Sequence, residues 1–427
     1  MHQVDFGFKV EKSDAKITPR VRLVLIDKMA NHLGVIKSLQ EQLGHLKVRN
    51  RGYKIDQKVM DMVNLFVSGG SAISDIEELR QDEALMGTLN RDSIMACSTA
   101  CEFLSQFSEK DIETLSKIVS AVASDTLHIS NRAIATLDAD ASFIESEKRN
   151  ALMSYHKTTG YYPMLGFIAE TQGCLLGEFH DGNASPAGGA IDFLKEMVER
   201  LPESIEQIRV RSDSAWFNHN VTDWCDENGI QFAIGGDMNQ HMAAVVDAIR
   251  PGEWEVLGDD VDEKVAESVY CFEFGKKACR VIVVRKEPRQ YSLFPGNYDY
   301  RTIITNMDWD KKSLVRWYRE RATSENWIKE LKSGFGLGDI PSNKFLSNSA
   351  YMQIVILAYN LVNALKVISL PEEYRSCTIK TLRFRLINIA GSWIRHAREY
   401  ILKLVTSAAK VELFRAILKQ PFRLCRT

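Results

Sequence analysis

Paired cysteine or histidine spacing of the kind that holds structural zinc is missing from this chain. Of its eight cysteines, Cys97 and Cys101 lie four apart in an apolar helical stretch with no second pair nearby. The others (Cys174, Cys225, Cys271, Cys279, Cys377 and Cys425) are scattered. That pattern excludes a zinc finger and predicts free, buried thiols in a reducing compartment. An apolar core is likewise missing from the first residues, MHQVDFGFKVEKSDAK, so nothing there reads as a secretory leader. Uninterrupted apolar runs of membrane-spanning length are also lacking. The nearest, YMQIVILAYNLVNALKVISL, contains Gln353, Asn360 and Asn363. Internal repeats and low-complexity tracts are not found either. The expectation is a soluble, cytoplasmic protein.

A surplus of charge of one sign is absent from the whole, but not from its parts. The net charge of −2 announces no nucleic-acid partner. Residues 181–275, however, hold 20 acids against 6 Lys/Arg, a balance of −14. Residues 375–427 hold 12 Lys/Arg against Glu399 and Glu412, a balance of +10. Such a partition suits one segment that gathers cations and another that meets phosphates. A length of 427 residues with 45% hydrophobic content predicts an ordinary globular protein of two or three domains.

Periodicity divides the chain. Residues 1–125 place apolar side chains at 3–4 spacing (VRLVLIDKMANHLGVIKSLQEQL, KVMDMVNLFVSG), which predicts a helical region. From residue 132 the pattern becomes strand-like. RAIATLDADAS reads as a buried strand ending in carboxylates, and MLGFIAETQGCLLGEFHDG as a hairpin turning at Gln172-Gly173. A helix starting near Pro186, the strand IEQIRVRSDS, another helix and the strand IQFAIGG follow, which makes residues 126–251 mixed α/β. Residues 252–308 turn β-rich again (EWEVLG, AESVYCFEF, CRVIVVRKE, YDYRTIITN). Residues 309–340 are helical, and 341–427 read as a basic helical region whose TIKTLRFRLINIAGSWIRHAREYILKLV has one cationic face.

Chemistry concentrates at strand ends. Asp138 and Asp140 share a strand face because side chains alternate with period 2. Asp213 ends the strand QIRV, at the edge where α/β proteins build sites. In RWYRERATSENWIKELKSGFGLG, Tyr318, Arg321, Glu325 and Lys332 stand at offsets 3, 7 and 14. In a straight α-helix these fall within an arc of roughly 60°. Two strand-end aspartates and a helical glutamate suit two divalent cations, Mg²⁺ or Mn²⁺ by their oxygen donors, arranged for in-line displacement at phosphorus. Two basic clusters, Arg20, Arg22, Lys47, Arg49 and Arg51 near the start and Arg383, Arg385, Arg395, Arg398 and Lys403 near the end, are candidates for phosphate contact. A solvated face is the alternative for the first cluster.

These residues resemble bacterial insertion-sequence transposases of the DDE group, whose third carboxylate lies in a Tyr-x2-Arg-x3-Glu-x6-Lys signature. Tyr318, Arg321, Glu325 and Lys332 match it at every spacing. LDADASFIESEK around Asp140, GYYP at 160–163, DGNASPAG at 181–188 and RVRSDSAWF around Asp213 resemble the 1380 family of insertion sequences. The resemblance implies an RNase H-like mixed-sheet core (126–251 and 309–340) interrupted by an all-β insertion (252–308), with an N-terminal DNA-binding region. It implies Asp140, Asp213 and Glu325 as catalytic metal ligands for two Mg²⁺ or Mn²⁺. The family's Asp-x-Ser/Thr motif selects Asp140, with Asp138 the alternative ligand. Tyr318, Arg321 and Lys332 would bind DNA. Glu145, Lys148 and Asn183 would support the site or only the fold. Some relatives stack a flipped base on a tryptophan, a role open to Trp254 or Trp309. The implied activity is cleavage at terminal inverted repeats and joining of 3′-OH ends to target DNA, by a homodimer, with nucleoid association when bound. An RNase H-like nuclease or resolvase without strand transfer, or a domesticated DNA-binding protein, is the alternative.

Overall fold

The computed structural model describes residues 15–47, 52–154, 157–185, 188–258, 260–286, 298–396 and 399–419. A two-residue strand, β1 (Ile17–Thr18), precedes seven helices: α1 (Val24–His32), α2 (Val35–Leu43), α3 (Ile55–Ser68), α4 (Ile76–Arg80), α5 (Glu83–Thr88), α6 (Cys97–Leu104) and α7 (Glu109–Ile129). The start of α7 is written in SEKD. Ser108 Oγ accepts from Asp111 N–H at 3.3 Å, and Asp111 Oδ2 accepts from Ser108 N–H at 2.9 Å, a reciprocal cap.

The mixed region then supplies β2 (Ile134–Ala141), the short β3 (Ile144–Glu145), β4 (Leu152–Met153) and β5 (Thr159–Tyr161), and the hairpin β6 (Met164–Ile168) and β7 (Gly173–Glu178). Gln172, at φ +59°, makes that hairpin's turn. Next come α8 (Ala190–Glu199), β8 (Gln207–Ser212), α9 (His219–Glu227), β9 (Gln231–Gly235) and α10 (Gln240–Asp247). Four strands follow: β10 (Glu255–Leu257), β11 (Asp260–Tyr270), β12 (Cys279–Lys286) and β13 (Asp299–Thr305). The central sheet runs β10-β11-β12-β13-β9-β8-β2-β6-β7, with only β2, β8 and β9 mutually parallel. The strands expected over 252–306 therefore form, but not as a separate body. β13 pairs with β9, so the meander extends the same sheet.

After α11 (Lys311–Arg319) and α12 (Thr323–Lys329) comes α13 (Phe345–Ala364). Helix 345–369 is long and apolar enough to cross a membrane by length and composition, yet it is mostly buried inside the protein. Its polar residues explain its place. β7 is a sheet edge, and α13 pairs that edge's backbone. Gln353 Nε2 donates to Gly177 O at 2.8 Å, and Tyr359 Oη donates to Gln172 O at 2.8 Å. Asn360 accepts from Cys174 N–H at 2.8 Å and donates to Cys174 O at 2.8 Å and to Val119 O at 3.2 Å. An edge strand covered in this way is closed to other chains. Asn360→Leu is expected to cost about 2–3 kcal/mol, because it strands buried backbone groups on β7 and α7. A thermal melt indistinguishable from the parent would contradict that.

The C-terminal region departs from expectation. Only α14 (Ile379–Leu382) and the turn after it are helical in the expected amphipathic run. The next residues form a hairpin, β14 (Gly391–His396) and β15 (Glu399–Leu404), which adds β1 to make a three-stranded sheet. The final helix is α15 (Ala408–Lys419). Pairing with β1, where Ile17 meets Ser392 from the other end of the chain, overrides local helical character. Gly391 permits the hairpin: a Cβ there would sit 2.8 Å from Lys403 O. Among the described cysteines none is in a disulfide, and Cys101 and Cys271 are exposed rather than buried; Cys425 lies outside the described residues.

Candidate active site

Sheet register builds the site. β2 and β8 are parallel neighbours with Asp138 opposite Arg211. Two residues further on lie Asp140, within β2, and Asp213, the residue that follows β8, close enough for the Asp213 charge to act on Asp140. Asp213 caps its own turn, its Oδ1 accepting from Ala215 N–H at 3.0 Å. Asp140 keeps about a fifth of its side chain exposed.

Asp138 does something else. It is fully buried, and both its oxygens are held by Arg211: Nε to Oδ1 and Nη2 to Oδ2, each at 2.7 Å. A carboxylate sealed in a bidentate pair is a counter-ion, not an open ligand. Asp138 is thus occupied by Arg211, whereas Asp140 stays partly open to solvent.

The helix over these acids is not the straight rod behind the 60° arc. Between α11 and α12, Glu320–Ala322 tightens to 3₁₀ geometry, and Glu330–Gly334 widens to π geometry. Arg321 comes to lie between acids, with Nη1 3.5 Å from Asp140 Oδ2 and Nη2 3.9 Å from Glu325 Oε1. Its Nη1 is buried without a hydrogen-bond partner. Glu325 is 64% exposed. Among the described residues, no three His, Cys, Asp or Glu side chains converge closely enough to hold a metal ion as they stand.

Electrostatics nonetheless ties the three carboxylates together. Burial first, then the like charges of Asp213 and Glu325, hold the Asp140 carboxyl up at about 6, against the pull of Arg321. The donors are carboxylate oxygens, so the set suits a hard divalent cation in kind.

Tyr318 and Lys332 face the same region but are engaged with backbone. Tyr318 Oη donates to Ser212 O at 3.0 Å, pinning the end of β8 beside Asp213. Gly235 makes room for it, since a Cβ there would stand 2.8 Å from that hydroxyl. Lys332 Nζ donates to Phe143 O at 2.7 Å and holds the segment after Asp140. Burial lowers its pKa. A cleft of about 350 Å³ opens between Asp140, Ser142, Glu325, Lys329 and Lys332. A second, of about 310 Å³, lies between Ser214, Gly235, Tyr300, Arg301, Tyr318 and Arg321.

Other expected residues scatter. Lys148 donates to Pro341 O at 3.4 Å, and Glu145 and Asn183 are exposed. Trp254 packs under Arg285 at 4.2 Å, and Trp309 under Arg209 at 4.8 Å and edge-on to Trp317. Arg22 is buried, Arg20 pairs with Asp82 at 3.6 Å, and Arg383 is bound to carbonyls, so none of the three is a free surface cation. Arg49, Arg51, Arg398 and the Arg395 side chain lie outside the described residues. Sequence reasoning missed Arg211. Its one signal was parity with Asp213, two residues earlier on a strand face already holding acids.

Comparison with known proteins gives distant structural likenesses and a family. No curated protein matches in sequence. The cryo-EM structure of a piggyBac transposase synaptic complex with hairpin DNA aligns with a TM-score of 0.43 and 12% identity, covering 94% of this chain and 81% of that one. The family profile described as transposase DDE domain group 1 matches residues 8–425, nearly the full length. Spanning the acids at the ends of β2 and β8 and the helix above them, that match places the chain in the group 1 family of DDE transposases.

Proposed function

We propose that this transposase belongs to an insertion sequence of the 1380 family, binds that element's terminal inverted repeats, cuts them, and joins the freed 3′-OH ends to target DNA. One observation carries the reading: the parallel pairing of Asp138 with Arg211 brings Asp140 and Asp213 to the same end of β2 and β8, and Arg321 reaches Asp140 at 3.5 Å from the helix that also bears Glu325. Strand order supports an RNase H-like core. Three antiparallel strands, β2, β6 and β7, are followed by β8 and β9 added in parallel on the other side of β2. On this reading residues 1–125 serve DNA binding, and β10–β13 are the insertion between the second and third acids.

Asp140, Asp213 and Glu325 would hold two Mg²⁺ or Mn²⁺. When bound, such ions supply activation of water or a 3′-hydroxyl and stabilisation of the leaving oxygen. The protein's own groups do the rest. Arg321 offsets the clustered carboxylates, its Nη1 3.5 Å from Asp140, and a planar guanidinium there is of a kind suited to a phosphate oxygen. Lys332 fixes the Ser142–Phe143 segment and keeps further N–H groups for the cleft that it shares with Asp140. Tyr318 acts through Ser212, holding Asp213 in place. Exposed Lys329, on the lip of the same cleft, adds a cation for the phosphate backbone. An element has two ends, so a homodimer is the working form proposed, acting in the bacterial cytoplasm at the nucleoid.

The test combines protein, Mg²⁺, DNA carrying the inverted repeats that flank the gene, and a target plasmid. Wild type is expected to give cleaved and joined products. Asp213→Asn is expected to lose about a thousandfold in cleavage while still binding ends, because metal-assisted charge stabilisation is worth several kcal/mol. Equal cleavage by both would overturn the site assignment. Cleavage without joined product would favour a nuclease or resolvase.

A further inference from the structure

Arg211 is the most connected side chain near the acids, and it is neither ligand nor surface charge. Nε and Nη2 go to Asp138, and Nη1 donates to Trp317 O at 2.7 Å and lies 3.4 Å from Glu320 Oε2. Its guanidinium also stacks 4.8 Å from the Trp317 ring centre. Trp317 O is the carbonyl that accepts the N–H of Glu320 where α11 tightens. A side chain that inserts into a helix's hydrogen-bond ladder is a recognised cause of such irregularity. Three residues at about 120° each, instead of about 100°, turn everything beyond them by roughly 60°. Glu325 lies just beyond.

We propose that the Asp138–Arg211 pair is a positioning device: it fixes the tightened turn Glu320–Ala322 and so sets where Arg321 and Glu325 stand over Asp140 and Asp213. The pair is anchored in the sheet, since its two residues are direct cross-strand partners on β2 and β8, two positions behind the two aspartates. The same strands thus carry both the acids and the gauge that aligns the third acid to them. Stability alone does not account for the pair, because apolar residues of similar volume commonly replace a buried ion pair without loss. The inference rests on the proposed catalytic role of Glu325.

The experiment uses Asp138→Leu/Arg211→Met, Arg211→Lys, and Glu325→Gln as the reference. The double variant keeps the volume and removes the gauge. Arg211→Lys keeps a charge for Asp138 but cannot span Asp138 and Trp317 O together. Both are expected to retain a cooperative melt and end-DNA affinity within about threefold. Both should lose about 10–100-fold in kcat with KM unchanged, and DNA-free protein should bind Mn²⁺, followed by electron paramagnetic resonance, about tenfold more weakly. Wild-type kcat and Mn²⁺ affinity in both variants, with Glu325→Gln inactive, would overturn the positioning role alone. Full cleavage by Glu325→Gln would instead overturn the site reading. Failure of both pair variants to fold would assign the pair to stability and equally overturn positioning.

Discussion

Asp140→Asn is expected to abolish cleavage and, in the same protein, raise the melting temperature at neutral pH. The two effects have one origin. Burial and the charges of Asp213 and Glu325 hold the Asp140 carboxyl at about 6, above the ordinary 3.8. Keeping it ionised at pH 7 in the metal-free fold therefore costs on the order of 3 kcal/mol, with the attraction of Arg321 already included. The isosteric amide removes that cost, and a gain of a few degrees is expected for a chain of this size. The sign follows from the raised value. Well below about pH 4 the wild-type group is protonated in both folded and unfolded chains, so the variant gains nothing. Between about pH 4 and 6 the unfolded chain ionises while the fold still holds the proton, so the wild type loses stability across that window and the gap stands at its full width above about 6. Cleavage should fall at least about a thousandfold, as for a lost metal ligand. Paired melts at pH 4 and pH 7.5, both without divalent ions, check this. A variant that melts lower at pH 7.5, or a gap of equal size at pH 4, would contradict the electrostatic account.

That coupling of strain and chemistry clarifies which parts were readable in the residues. Strand positions were: alternation and terminal carboxylates located β2 and β8, and a shared parity put Asp140 level with Asp213 once the strands paired in parallel. The signature spacing located the helix that crosses them. The difference between Asp138 and Asp140 could not be read from spacing, because Arg211, which occupies Asp138, is a neighbour only across the sheet. The tightened turn at Glu320–Ala322 was hidden for the same reason, since the donor that meets Trp317 O comes from another strand. The polar residues of α13 looked like interruptions of an apolar run, and became intelligible only beside the unpaired edge of β7. The hairpin Gly391–Leu404 was misread as helix because its third strand is Ile17–Thr18, at the other end of the chain.

The basic C-terminal segment gives the second large effect, and it separates two arginines only two residues apart. Arg383→Met is expected to destabilise the fold by about 3–5 kcal/mol and leave the salt dependence of DNA binding unchanged. Arg383 Nε donates to Val67 O at 2.8 Å, and Nη2 to Phe66 O at 2.5 Å and Gly334 O at 2.7 Å. Phe66 and Val67 lie in the last turn of α3, which ends at Gly69 with φ +114°, at the helix end where a cation is favoured. Gly334 ends the π-shaped turn beyond Lys332, so one guanidinium ties the N-terminal helices to the helix of the candidate site. Burial pushes its pKa down to about 10, and it still carries its charge at neutral pH. Losing three charge-assisted bonds at once, with their carbonyls left behind, accounts for the magnitude. Arg385 is exposed, and its replacement by alanine should leave the melt nearly unchanged. If that arginine meets a phosphate, the slope of log binding constant against log salt should shrink by about 0.9. Denaturant melts and end-DNA titrations across a salt series read both quantities. A stable Arg383→Met protein with a shallower salt slope would return that residue to the DNA, and with it the reading of the whole basic run as one phosphate-binding face.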